Sequence, residues 1–129
     1  MGETTLPITG GCLCGAVRYE ASEPPGTDGT ICHCRICQKA YGNGFAVTAD
    51  FASKAFRFTR GEPRMYKSSN VGERGFCADC GSPLIMRYTS LPEKVWVQRR
   101  HPRRPGRGEG LTDHTRRHRK RDSLAHHPR

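Results

Sequence analysis

Cys32, Cys34 and Cys37 place three thiols within the six residues Cys32-His33-Cys34-Arg35-Ile36-Cys37. Zinc takes four ligands in a tetrahedron, and a site that keeps one position open for an outside ligand is the arrangement of a catalytic metal. Two further pairs flank this group, Cys12 with Cys14 and Cys77 with Cys80. Together they offer four sulfurs, enough to close a structural site. The seven cysteines therefore divide into a closed metal site at Cys12, Cys14, Cys77 and Cys80 and an open, catalytic one at Cys32, Cys34 and Cys37. Chemistry belongs to the open site.

Each assignment has competitors. The outer cysteines are alternatively four unrelated buried thiols or two disulfides, but Cys-x-Cys and Cys-x-x-Cys spacings framed by glycine favour a shared zinc when thiols stay reduced. The central group is an open zinc site, a structural zinc completed by a histidine, or a redox thiol cluster. His33 is a poor fourth ligand, because alternation turns it away from the side that Cys32 and Cys34 share. All other histidines lie beyond residue 97, so the open zinc site is favoured. Arg35 and Lys39 could recognise carboxylates beside it, although charged residues at such positions are usually solvated. Tyr41 and Phe45 could line a pocket, or simply pack. No residue identifies itself as a general base.

The elements that must hold these groups are short. A chain of 129 residues with 34% hydrophobic content has room for one small core, which metal staples would support. Gly10 and Gly11 let the backbone bend around Cys12 and Cys14, and an extended segment there would turn both sulfurs to one side. Ala16–Glu20 alternates like a half-buried strand, and Ser22–Gly29 reads as an exposed loop. A short helix is expected from near Arg35, broken by Gly42-Asn43-Gly44. Runs at 45–48, 55–59, 64–66, 74–77, 83–86 and 94–97 show strand character between turn residues, and Cys77–Cys80 forms a zinc-knuckle-like turn. Many short strands argue for an all-β domain over residues 1–97.

Charge separates that domain from the rest of the chain. Residues 1–97 carry 11 Lys and Arg against 9 Asp and Glu, a net of +2, whereas residues 98–129 carry 11 against 3, a net of +8. Beyond Pro and Gly, the only aliphatic residues of the second segment are Leu111, Leu124 and Ala125, which cannot build a core. It reads as a disordered basic tail that binds nucleic acid by counterion release, as a solvated tail without function, or as GC-rich coding sequence read out of frame. The abrupt end of strand pattern after Val97 favours the last. No charged leader precedes an apolar run, no stretch nears the ~20 apolar residues of a membrane span, and Leu6 stands where acylation wants Ser or Thr. A soluble cytoplasmic protein without a membrane partner is expected.

The segments Gly-Gly-Cys-Leu-Cys-Gly-Ala-Val-Arg-Tyr-Glu (10–20), Cys-His-Cys-Arg-Ile-Cys (32–37) and Phe-Cys-Ala-Asp-Cys-Gly-Ser-Pro-Leu (76–84) resemble the three signatures of the glutathione-dependent formaldehyde-activating enzyme family, which includes centromere protein V. The resemblance covers roughly residues 8–97 and rests on three motifs in the right order. It implies an Mss4-like β fold, two zinc ions per chain and a carbon–sulfur lyase activity. Carried over by motif, Cys12, Cys14, Cys77 and Cys80 resemble the structural ligands, and Cys32, Cys34 and Cys37 the catalytic set. The implied reaction is that of an S-(hydroxymethyl)glutathione synthase, in which glutathione or a similar thiol adds to formaldehyde or a related aldehyde. The rival is a non-catalytic zinc module that binds protein or nucleic acid. The family continues past the strand of Trp96 with more β structure, and this chain departs from it there. An open sheet edge would then invite self-association into a homo-oligomer.

Overall fold

Alternating polarity gives a strand one buried and one wetter face, and in this protein the pattern is realised in strands too short to be stable singly. A computed structural model describes residues 5–27 and 29–98. β1 (Ile8–Gly11), β2 (Arg18–Ala21) and β5 (Phe56–Arg60) form one antiparallel sheet in the order β1-β2-β5. β3 (Thr30–Cys32), β4 (Ala46–Ala52), β6 (Arg64–Lys67), β7 (Gly72–Phe76), β8 (Pro83–Tyr88) and β9 (Lys94–Gln98) form a second, in the order β3-β4-β9-β8-β7-β6. Its neighbours are also antiparallel. The one α-helix among the described residues is α1 (Arg35–Tyr41), and Ser53–Ala55 makes a 3-10 turn into β5.

Both sheets contribute to one core. Tyr19, Ala21 and Phe56 come from the smaller sheet, Phe51, Leu84, Ile85, Val95 and Val97 from the larger. The rings of Phe51 and Phe56 bridge the two with centroids 6.3 Å apart, and Tyr19 stands 5.1 Å from Phe56. β9 is interior to its sheet: Val97 is paired with Ala49 on one side and Ile85 on the other, and Trp96 with Asp50 and Met86. Such apolar pairs across strands are the unit of sheet stabilisation.

Asp50 is buried in β4 yet fully partnered. Thr27 Oγ1 donates to its Oδ1 at 2.8 Å, Lys94 Nζ lies 3.2 Å from Oδ2, and its backbone carbonyl accepts from Gly26 N at 2.8 Å. One carboxylate thereby ties the loop before β3 to the centre of the large sheet. Burial pushes its acidity one way, the Thr27 and Lys94 hydrogen bonds the other, and the net result is a carboxyl held below the ordinary range.

The fold is all-β, and the helix begins at Arg35, both as the sequence pattern predicts. The strand boundaries move. β4 runs to Ala52 rather than stopping at residue 48, because Asp50 finds partners that let a charge sit inside the strand. β1 contains two glycines and β3 only three residues, so neither carries a readable alternation. β9 includes Gln98, one residue beyond the expected limit of the domain. Residues 99–129, with the nucleic-acid reading placed on them, lie outside the described residues.

Candidate metal centres

The outer cysteines bring a loop of the small sheet to a turn of the large one. Cys12 and Cys14 sit between β1 and β2, and Cys77 and Cys80 between β7 and β8. The expected reason for the first pair facing one way needs correction: residues 13–16 are a chain of bends, not an extended strand. The loop closes through Cys12 N donating to Val17 O at 3.1 Å, and Gly15 takes φ +87° inside it. That positive φ is one that a side chain would resist. On the other side Gly81, at φ +77°, completes a turn in which Gly81 N donates to Cys77 O at 2.8 Å and Cys77 N to Ser82 O at 2.9 Å.

The four sulfurs lie within 4.8 Å of one another. Cys12 Sγ is 3.6 Å from Cys14 Sγ, and Cys14 Sγ is 3.8 Å from Cys77 Sγ. A tetrahedron with zinc–sulfur arms of ~2.3 Å has sulfur–sulfur edges of ~3.8 Å, whereas a disulfide needs ~2.05 Å. All seven cysteines are free thiols. The donor set therefore fits a tetrahedral ion and rules out disulfides in this state. Val17 N donates to Cys12 Sγ at 3.3 Å, and Ser82 Oγ lies 3.1 Å from Cys80 Sγ while accepting from Leu13 N at 3.0 Å. Burial pushes the Cys80 thiol up, but bonds from Ser82 and Cys14 outweigh it and bring it down to about 5. A backbone bond from Ala16 pulls Cys14 down, while its sulfur neighbours and desolvation push it up to about 12. Crowded thiols cannot all ionise alone; a cation at their centre lets them.

The second cluster is local. Cys32 ends β3, held against Ala46 of β4; Cys34 is the N-cap of α1; Cys37 is one turn into the helix. Their sulfurs again lie within 4.8 Å of one another. Cys34 Sγ accepts from Cys37 N at 3.4 Å, the role a cap residue plays for an orphan N–H. Gly42 closes the helix in the left-handed conformation, φ 60°. The burial of the three sulfurs is graded, with Cys34 exposed, Cys32 half-buried and Cys37 buried. The Cys37 amide, with Cys32 and the Cys37 thiol, lowers Cys34 to about 7, whereas desolvation pushes Cys37 up to about 11 despite a hydrogen bond from Arg74.

The sequence-predicted candidates therefore separate. All seven cysteines fall into the two expected groups, and among the described residues no histidine joins either group. His33 packs instead toward Phe45, ring centroids 5.8 Å apart. Arg35 and Lys39 are exposed and form no ion pair among the described residues. Tyr41 does line a cleft, together with Tyr66, Arg74 and Phe76; Phe45 does not.

Sequence reasoning passed over Arg74. It is 6% exposed, its Nη2 donates to Cys37 Sγ at 3.4 Å, and its Cζ lies 5.2 Å from the centre of the Tyr41 ring. Its signal in the sequence was an arginine inside a strand next to Gly75, where a surface charge and a buried one read alike.

Residues 7–106 match the family described as glutathione-dependent formaldehyde-activating enzyme. The match extends nine residues past Val97, into the basic segment. A Halomonas elongata protein described as a glutathione-dependent formaldehyde-activating enzyme is 30% identical over 95 residues, covering 68% of this chain and 60% of that protein. The chain thus spans about 60% of the length of this relative. A crystal structure of a Rhodobacter sphaeroides protein superposes with TM-score 0.63 at 26% identity, covering 82% of this chain and 94% of the other. Three cysteine motifs gathered into two metal-competent clusters, an all-β fold and a match over most of the sequence agree: the chain belongs to the glutathione-dependent formaldehyde-activating enzyme family.

Proposed function

We propose that the protein binds two zinc ions, a structural one at Cys12, Cys14, Cys77 and Cys80 and a catalytic one at Cys32, Cys34 and Cys37. At the second it joins glutathione or a similar small thiol to formaldehyde or a related aldehyde, the reaction of an S-(hydroxymethyl)glutathione synthase within the carbon–sulfur lyases. The observation that carries this reading is the three-sulfur cluster, whose outermost member, Cys34, is exposed. Four protein sulfurs close a tetrahedron; three leave a place for a ligand from solution.

Zinc held by three thiolates supplies a thiol from solution with a lowered pKa near neutral pH. The chain's own residues supply the rest. Cys32 is fixed by strand pairing, Cys34 by the helix cap and Cys37 by Arg74, so the three sulfurs do not have to be ordered when a ligand arrives. Tyr41, Tyr66 and Phe76 line a cleft together with Arg74, the residue that donates to Cys37 Sγ. In the reaction the thiol sulfur forms a bond to the carbonyl carbon and the π pair moves to oxygen. The proton lost by the thiol ends on that oxygen, and solvent carries it across the open Cys34 side. Nothing else is consumed or released.

Free thiols in such number suit a reducing compartment such as the cytoplasm, and among the described residues no helix is long and apolar enough to cross a membrane. The test is the exchange rate between free and thiol-bound formaldehyde, followed by 13C NMR with glutathione. The zinc-loaded protein accelerates exchange above the uncatalysed rate, and Cys34→Ser abolishes the acceleration while retaining the outer zinc. Equal exchange with and without wild-type protein overturns the reading.

A further inference from the structure

Arg74 is the one basic side chain among the described residues that is buried. It belongs to β7, and its guanidinium meets the helix that carries Cys37: Nη2 donates to Cys37 Sγ at 3.4 Å, and Cζ stands 5.2 Å from the centre of the Tyr41 ring. Ion pairs among the described residues join Arg57 to Glu20 and Lys94 to Asp50, leaving Arg74 outside both. A guanidinium keeps its proton in a protein, so this is a permanent buried cation without a carboxylate partner among the described residues. Burial works against that charge, and Cys37, Tyr41 and Tyr66 outweigh it.

The outer cluster is held differently. Its sulfurs meet neutral groups, with Val17 N donating to Cys12 Sγ at 3.3 Å and the Ser82 hydroxyl 3.1 Å from Cys80 Sγ. Arg18 is close by, yet its Nη1 donates to the Cys12 carbonyl rather than to a sulfur. The cation thus stands at the cluster of three sulfurs and not at the cluster of four. Geometry alone does not require it, because an amide or hydroxyl would orient Cys37 Sγ without burying an ion. A neutral donor cannot supply charge. Three thiolates around a divalent ion leave one net negative charge, and an anionic fourth ligand adds another. The outer site, once closed, keeps its charge, whereas an open site changes charge each time a ligand arrives or leaves. A fixed cation beside it lowers the cost of the more negative form.

We infer that Arg74 is a positioning residue of the inner centre that acts by charge as well as by geometry: it holds Cys37 and offsets the negative charge brought by an anionic fourth ligand. The inference rests on the reading of the inner cluster as a metal centre that takes a thiol, and adds the residue that decides which charge state of ligand it holds. Nε and Nη1 make no hydrogen bond, so no further bond disperses the charge.

Visible absorption of the cobalt-substituted full chain tests this, since the bands of the inner ion shift when its fourth ligand changes while those of the closed outer site stay constant. The probes are 2-mercaptoethanol, which binds as an anion and carries no other charge, and imidazole, which is neutral at about pH 8. Arg74→Gln keeps an N–H donor for Cys37 and loses the charge. In it the affinity for 2-mercaptoethanol falls at least about tenfold and that for imidazole is unchanged. Arg74→Lys keeps the charge and most of the thiol affinity. Arg74→Gln close to wild type, or equal loss of both ligands, overturns the inference and leaves thiol binding intact. Metal content is measured on every sample. If the variants lose the inner ion, wild type decides: calorimetry in buffers of different ionisation enthalpy counts about one proton released per 2-mercaptoethanol bound. No proton released means a neutral bound thiol, with no anion for Arg74 to offset, and overturns the inference. Failure of 2-mercaptoethanol to bind wild type overturns both the inference and the reading beneath it.

Discussion

The sulfurs of Cys14 and Cys77 lie 3.8 Å apart although 63 positions separate them in the chain. One belongs to the loop of the small sheet and the other to the turn of the large one. A metal ion held by these four sulfurs would clamp one layer to the other, where a core of limited size needs it. The inner cluster, in contrast, draws its three sulfurs from residues 32–37 and joins only the end of β3 to the start of α1.

That difference has a measurable consequence. Cys77→Ser lowers unfolding stability by more than about 4 kcal/mol, the range associated with loss of a metal site, and excess chelator reproduces the effect on wild type. Cys32→Ser produces a clearly smaller shift. Chemical denaturation of zinc-loaded proteins reads both, and equal shifts would mean that the outer site is no clamp.

Gly75 is a packing glycine. A Cβ there would stand 2.7 Å from Met65 Sδ, 2.9 Å from Ile85 Cγ1 and 3.0 Å from Pro63 Cβ. Met65 yields more easily than the other two, so Gly75→Ala costs about 1–3 kcal/mol, the usual penalty of overpacking. Because Gly75 neighbours Arg74 and lines the same cleft, the variant also weakens thiol binding. Thermal unfolding and calorimetry measure the two effects separately.

Asp50 predicts a pH dependence. Its folded pKa is depressed by Thr27 and Lys94 against the opposing effect of burial, so its contribution is complete above the unfolded value, ~3.9, and is lost as pH falls through the folded value. Asp50→Asn is therefore less stable than wild type by about 1–3 kcal/mol at pH 7. The gap narrows below about pH 4. Acid also strips metal from thiolates, but it does so in both proteins, and the difference between them isolates Asp50. A gap that stays constant down to pH 2 would contradict the assignment.

Cysteine spacing made both clusters legible in the sequence, because ligands for one metal must converge regardless of the path between them. The helix at Arg35 was legible too: Cys34 caps it and Gly42 ends it, both local signals. β1 and β3 were not, since Gly10 and Gly11 in one and three residues in the other leave no period to read. The bent course of residues 13–16 was also hidden, being set by the bond from Cys12 N to Val17 O. Arg74 was invisible for a different reason. Its meaning comes from Cys37 and Tyr41, 37 and 33 positions away, and only the pairing of β7 within the large sheet brings it to them.

The most direct check of two centres with separate roles is zinc counted per folded chain, purified under reducing conditions, for wild type beside Cys34→Ser. Two clusters of four and three sulfurs call for two zinc ions in wild type and one in the variant, with the fold kept. One zinc in both proteins would contradict the account, for it would leave Cys32, Cys34 and Cys37 without a metal to share.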